Sequence, residues 1–478
     1  MTDIYVKNGF LLTMQGEGVG SIQDGAVAIE GNTIVAVGKT ADLDKEYGGA
    51  EHVFDAKGKA VLPGFVDAHV HTSNTLIRGE GQDVPEIEWM LKTQAPFSPH
   101  YRPGDRLLGS ALGVLEAVKS GTTCFGEIGG NMAPAAEKVF GPSGVRAHLA
   151  NTINEIGPGS RPDPHKPYIF FSDIGERKLK ESIEFIDEWE GAFDGRITTM
   201  FSPHAADMMS EELLLRVKAE ANERGMMSHI HIAQGGREAI QIKLRFNTST
   251  VRYLDSIGFL DNTIIGAHCH QTSDEEVALL AKSGMRYVSC PASIGVIDGI
   301  TPPLALYLAS GGVSAGIGSD QASGNNHHNM LVEMKVAALL NKCRHTDPTV
   351  LPAWKMLRIA TVEGAETIGL GDSIGSLEPG KKADLIILNL KVPHMMPIIT
   401  TPVPNVAPNI VYSARGDEVE TVIIDGNIVV RDHEVLTMDE EKVMEDAQKA
   451  STAITTAAAE DFFKADSYLA KAVKKGLL

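Results

Sequence analysis

The chain has 478 residues, with 43 basic against 62 acidic side chains and a net charge of −19, so it is long enough for one large catalytic domain plus an accessory one. Its charge is dispersed and acidic, which excludes nucleic acid and anionic membrane as expected partners and points to a small-molecule substrate. The start, Met1-Thr2-Asp3-Ile4-Tyr5, lacks a basic region followed by an apolar one, no stretch approaches a membrane span, and Cys124, Cys269, Cys290 and Cys343 show no paired spacing, so a cytoplasmic protein with free thiols is expected.

Residues 1–60 predict short strands at 4–6, 10–14, 26–29 and 33–37, separated by turns at Asn8-Gly9, Gly16-Glu17-Gly18 and Gly31-Asn32. Alone they make too small a sheet. Matching runs return at 383–388 and 419–427, so the two ends are expected to build one β domain around an inserted middle. Between 61 and 375, strand-like runs (122–125, 197–201, 227–231, 263–267, 287–290 and 315–318) alternate with helical-period segments, as in a barrel of parallel strands with its chemistry at the C-terminal strand ends. Residues 437–478 are rich in Ala, Glu and Lys at helical spacing and predict a helical tail.

The stretch around which this pattern is organised is Pro63-Gly64-Phe65-Val66-Asp67-Ala68-His69-Val70-His71. Two histidines one residue apart on an extended chain face the same side and can share one metal ion. Further along come His229-Ile230-His231-Ile232-Ala233-Gln234, then Gly266-Ala267-His268-Cys269-His270, then Gly316-Ile317-Gly318-Ser319-Asp320, each at a predicted strand end. Four such motifs in this order resemble the amidohydrolase superfamily, metal-dependent hydrolases on a (β/α)8 barrel. The resemblance extends to Gly375-Ser376-Leu377-Glu378-Pro379-Gly380, which is similar to the family's return from barrel to an accessory β-sandwich. The expected division is 1–60 and 376–436 for the β domain, 61–375 for the barrel and 437–478 for the tail.

The resemblance implies a metal held by His69, His71, His231 and Asp320, Zn2+ or Fe2+, activating a water. It implies a single ion, because the fourth-strand run Arg196-Ile197-Thr198-Thr199-Met200 has no lysine to bridge two. His268 and Asp320 would bracket the water, with His229 a neighbour in the barrel lining and His270 exposed or structural. The chain is most similar to the deaminase and chlorohydrolase branch, above all its s-triazine hydrolases, which displace an amine, alkylamine or chloride from a nitrogen heterocycle. Asn74, Trp89, Glu127, His204 and Ser293 are the candidates for substrate contact. The branch normally carries glutamate, its proton donor, where this chain has Gln234. That departure leaves three readings open: a leaving group that needs no proton, a substitute acid such as Glu127, Glu238 or His229, or a weakly catalytic metal-bearing binding protein. Glu238 reads as a surface or helix-start carboxylate, and Ile294 as an apolar replacement in the pocket wall. Relatives are often oligomeric, so a homo-oligomer is expected.

Overall fold

The computed structural model describes residues 2–157 and 163–477. The N-terminal part supplies β1 (Ile4–Leu12), β2 (Ser21–Glu30), β3 (Thr33–Lys39), β4 (His52–Asp55) and β5 (Lys59–Pro63). The turn expected at Asn8-Gly9 is absent. Residues on both sides of it belong to one strand, whose pairing with β2 shifts register between Val6 and Gly9 and again between Gly9 and Leu11. Asn8 takes a φ of 61°, and a Cβ on Gly9 would come within 2.7 Å of a Val61 methyl. The dipeptide therefore makes a bulge in a packed strand, where the same letters in an open chain would make a turn.

The middle of the chain supplies β6 (Phe65–Val70), β7 (Thr122–Gly129), β8 (Arg146–Ile153), β9 (Ile197–Thr199), β10 (Ser202–Pro203), β11 (Ser228–Ile232), β12 (Ile264–His268), β13 (Arg286–Ser289) and β14 (Ala315–Ile317). All their pairings are parallel. Helices such as Asp105–Lys119, Ser172–Trp189, Glu211–Glu223 and Asp274–Ser283 lie between them in sequence, the crossover that parallel strands require. The strands form two sheets, joined by single parallel bridges at Phe201↔Ser228 and Ala205↔His231 on one seam and at Val70↔Asp320 on the other. The result is a curled parallel sheet. Every residue of β6, β11 and β12 is buried, which is why these strands read as apolar runs broken only by histidine, Asp67 and Ser228. The strand β8 has no counterpart among the runs read from the sequence, since Arg146, His148 and Asn151 break its apolar pattern.

The C-terminal part adds β15 (Leu385–Asn389), β16 (Val419–Ile424), β17 (Asn427–Arg431) and β18 (Glu434–Val435). Both ends meet in one nine-stranded sheet of order β18-β17-β16-β15-β5-β1-β2-β3, with β4 on β1. A buried ion cluster pins this sheet to the middle of the chain: Arg146 donates to Asp384 Oδ2 at 2.8 Å and to Asp425 Oδ1 at 3.0 Å. Beyond it, the helix Glu440–Ala465 buries Ala447, Ala450, Ile454, Ala458 and Phe462. These recur every three or four residues as one stripe, which packs on Leu76, Ile77 and Phe97. Among the described residues no helix is long and apolar enough to cross a membrane.

Candidate metal centre and substrate cavity

The seam between β6 and β14 assembles the site. Asp320 donates its N–H to His69 O at 2.9 Å, and His71 donates its N–H to Asp320 O at 2.7 Å. The approach requires glycine before it, because a Cβ on Gly318 would lie 2.5 Å from His69 O. Three residues just at or beyond strand ends, Ala233 (φ 48°), His268 (φ 76°) and Asp320 (φ 58°), take the left-handed conformation. For side-chain-bearing residues this costs on the order of 1–2 kcal/mol each, and such strain gathers where side chains must be aimed inward.

His69, His71 and His231 bring their ligand atoms within 4.8 Å of one another. Their hydrogen bonds decide which nitrogen is free. His71 Nδ1 lies 2.8 Å from Ile128 O and His231 Nδ1 lies 2.7 Å from His204 O. A carbonyl only accepts, so each Nδ1 carries the proton and each Nε2 presents a lone pair. These two Nε2 atoms stand 3.3 Å apart with no proton to share. His69 Nδ1 is engaged by His229 Nε2 at 3.0 Å, and among the described residues buried His69 Nε2 has no partner. Burial, with neighbouring imidazoles adding to it, holds His69 and His231 well below the ordinary histidine range, which keeps them neutral. Converging neutral imidazole lone pairs fit a divalent cation, and 3.3 Å is the spacing of two nitrogens on a tetrahedral ion at about 2.0–2.1 Å.

Asp320 completes the ring of donors. Its Oδ1 lies 3.6 Å from His71 Nε2 and 3.9 Å from His69 Nε2, while Oδ2 accepts from Ser293 Oγ at 2.6 Å. His268 is buried against the same cluster, 5.0 Å from His69 and 5.3 Å from His231 between ring centres. Burial pushes its pKa well down, and its Nδ1 has no partner among the described residues. A second donor set, His69, His268 and Cys290, also falls within 4.8 Å.

A cavity of about 340 Å³ opens over these groups. His71, Asn74, Trp89, His204, His231, Gln234, His268 and Asp320 all line it, as does Ile294. Two expected contacts do not. Ser293 lies beneath Asp320 and serves to hold it. Glu127 points away from the cavity, both carboxylate oxygens accepting from the Thr72 N–H at 3.1 and 2.9 Å, and burial pushes its pKa up to about 8. Residue alternation along β7 explains this, since neighbouring Ile128 reaches the cavity in its place.

Around Gln234 the structure departs further from the sequence reading. Glu238 is fully buried at the start of helix Gly236–Phe246, accepting from the Gln234 N–H at 2.9 Å, so it is no surface group. Burial, reinforced by Asp207, pushes its pKa up to about 8. Gln234 Nε2 has no partner among the described residues. His270 is buried and bonded to Asp298 at 2.9 Å, the structural role of its two expected ones. The thiols are free, with Cys343 alone exposed.

Sequence reasoning did not single out the residues of the polar wall. Glu86 and Arg237 line the cavity and pair with each other at 3.2 Å, and Arg237 also pairs with buried Asp207. Arg106 and Gln321 reach Asn74 at 3.4 and 3.2 Å. No local pattern marks these residues, because loops distant in sequence bring them together.

Residues 60–429 match the Amidohydrolase family, and residues 25–50 match an imidazolonepropionase-like composite domain of bacteria. A 5′-deoxyadenosine deaminase of Methanosarcina mazei is 37% identical over 452 residues, 94% of this chain and 98% of that protein. A 5-methylthioadenosine/S-adenosylhomocysteine deaminase of Pelotomaculum thermopropionicum is 36% identical over 94% of this chain and 98% of its own. Among solved structures, an adenosine deaminase from Xanthomonas campestris with bound zinc superposes with a TM-score of 0.85 at 27% identity, over 95% of this chain and 99% of that one. The names of these relatives are those of deaminases of adenosine derivatives, and triazine hydrolase and an atrazine chlorohydrolase of Arthrobacter aurescens also stand among the solved structures of this fold. On the family match across residues 60–429 and relatives more than a third identical along nearly their whole length, the chain belongs to the amidohydrolase family, whose members are metal-dependent hydrolases.

Proposed function

We propose that the chain is a metal-dependent aminohydrolase that replaces the exocyclic amino group of an adenine ring by hydroxyl, on a nucleoside altered at its 5′ position. The observation that carries this reading is the pair of facing lone pairs on His71 and His231, which line the cavity, beside the buried His69 Nε2 that has no hydrogen-bond partner among the described residues. The names of the 36–37% identical relatives supply the ring class. His69, His71, His231 and Asp320 hold one ion, Zn2+ first and Fe2+ by the same donors. When bound, such an ion acidifies a water enough for it to attack at neutral pH.

The remaining steps fall to the chain itself. Asp320 Oδ1 faces the imidazoles and accepts the proton of the attacking water, while Ser293 keeps Oδ2 in place. His268, neutral and stacked beside His231, orients that water. Gln234 donates from Nε2 to a ring nitrogen but has no proton to give. Asn74, Trp89 and His204 contact the substrate, and Glu127 positions the turn after His71 through Thr72.

The curled sheet reads as a (β/α)8 barrel over 61–375, closed at its two seams, with an accessory β-sandwich domain from 1–60 and 376–436 and a helical tail over 437–478. A homo-oligomer in the cytoplasm goes with this reading, and light scattering at the monomer mass would overturn the first part. Gln234 favours one second reading, a preference for leaving groups that depart without a proton, such as chloride. Mass spectrometry of zinc-loaded protein with 5′-deoxyadenosine and its 6-chloropurine analogue tests both. An exchange of amino for hydroxyl supports the deaminase, chloride exchange alone supports the second reading, and turnover of neither rejects both.

A further inference from the structure

Two donor sets share one histidine. His69 stands within 4.8 Å of His71 and His231 and, separately, within 4.8 Å of His268 and Cys290. Its Nδ1 is engaged by His229, so both sets must draw on the same unpartnered Nε2. A single lone pair serves one ion at a time, so an ion in one set takes a donor from the other, and two divalent charges this close repel.

The two sets differ in chemistry. One adds the carboxylate of Asp320 to imidazoles, the other adds sulfur. Cys290 is fully buried between the end of β13 and helix Pro291–Ile297, and β13 lies between β12, which ends in His268, and β14, which leads to Asp320. Thiolate is a soft donor and selects thiophilic cations, whereas carboxylate suits harder ones. A bound cation takes Cys290 as thiolate, since a coordinating thiol is deprotonated outright. The S–H bond breaks, its electron pair becomes the metal–sulfur bond, and the proton leaves through the cavity to solvent.

We propose that the centre has a second, thiophilic mode, in which a soft divalent cation such as Cd2+ is bound by His69 Nε2, His268 and Cys290 Sγ and thereby displaces the catalytic ion. This mode rests on the reading that His69 holds that ion. It makes the protein sensitive to thiophilic metals in competition with zinc and independently of substrate.

The test uses zinc-loaded full-length C343S protein, which removes the one exposed thiol. One equivalent of Cd2+ is expected to release one equivalent of zinc and to produce thiolate-to-cadmium charge-transfer absorption in the ultraviolet. In the C343S/C290S protein that absorption is expected to vanish and Cd2+ affinity to fall more than about 100-fold, beyond the cost of an outer-shell change. Cys269, buried beside His268, is retained in both proteins as the internal control. Should C290S fail to fold, the 113Cd resonance of the C343S protein decides, through a downfield position expected only of a sulfur-ligated ion. Cadmium bound without the charge-transfer band or that resonance, absorption undiminished in C290S, or binding without zinc release would each overturn the proposal. Deamination by zinc-loaded C343S is followed in parallel. Turnover with no cadmium–sulfur signal rejects the thiophilic mode alone, while a chain that holds no zinc rejects the function reading beneath it.

Discussion

At the scale of single residues, the position that departs from the pattern of the branch is Gln234, which lines the cavity with an Nε2 that has no hydrogen-bond partner among the described residues. A general acid there is worth about 10²–10⁴ in rate, or roughly 3–5 kcal/mol of barrier. Q234E is therefore expected to raise kcat on 5′-deoxyadenosine by about 10², with less gain on the 6-chloropurine analogue. Unchanged kinetics on both substrates would show that this position does not shape the chemistry. Ser293 gives a second prediction. S293A removes the hydrogen bond that holds Asp320 Oδ2 and should weaken zinc binding by about 10–100-fold, read by competition with a chelator. The residues gathered at the site were legible in the sequence because each sits in a short motif at the end of a strand, where local spacing fixes side-chain direction. Glu127, Glu238 and Ser293 were not, since their roles depend on which way a buried side chain turns, Glu127 within β7 and the other two in the helices that follow β11 and β13.

At the scale of elements, the parallel run and the reunion of the two ends were readable from alternating apolar segments and their return near the C-terminus. What hid were elements whose letters have two meanings. Asn8-Gly9 reads as a turn and folds as a bulge because β1 is held on both sides, by β2 and by β4 and β5. β8 buries Arg146, His148 and Asn151, each bonded to a group from another element, so its pattern lacks the apolar run that marks its neighbours. The tail was legible as helix, and its stripe of Ala447, Ala450, Ile454, Ala458 and Phe462 shows which face it buries. Ile454 is its one large aliphatic side chain in that stripe, 1% exposed. I454A is expected to destabilise the protein by about 2–4 kcal/mol, measured by urea unfolding. A change within about 0.5 kcal/mol, the range of ordinary surface substitutions, would mean that the helix does not pack as described.

At the scale of the whole molecule, buried histidines tie stability to pH. Burial lowers His148 to about 4, His229 to about 3 and His328 to about 3. Between those values and the unfolded value near 6.5 the unfolded chain binds more protons, so stability must fall as pH drops through that window. Glu127 acts in the opposite sense. Held up to about 8, it keeps a proton that the unfolded chain gives up near 4.3, and stability falls as pH rises between the two. His148 lies outside the cavity and bonds Thr198 Oγ1 at 2.8 Å. H148Q is expected to melt lower at neutral pH yet to lose less on acidification from pH 6.5 to 4, and an unchanged acid limb in calorimetry would remove this histidine from the account.

The measurement that bears most directly on the whole is product analysis of 5′-deoxyadenosine incubated with zinc-loaded protein, beside H71A and H231A carrying the same zinc challenge. Facing lone pairs 3.3 Å apart predict that the parent protein exchanges the ring amino group for hydroxyl with one equivalent of ammonia, and that each variant loses both its zinc and its turnover. Turnover that survives in H71A or H231A, or a parent that binds zinc and leaves every adenine amino group in place, would contradict it.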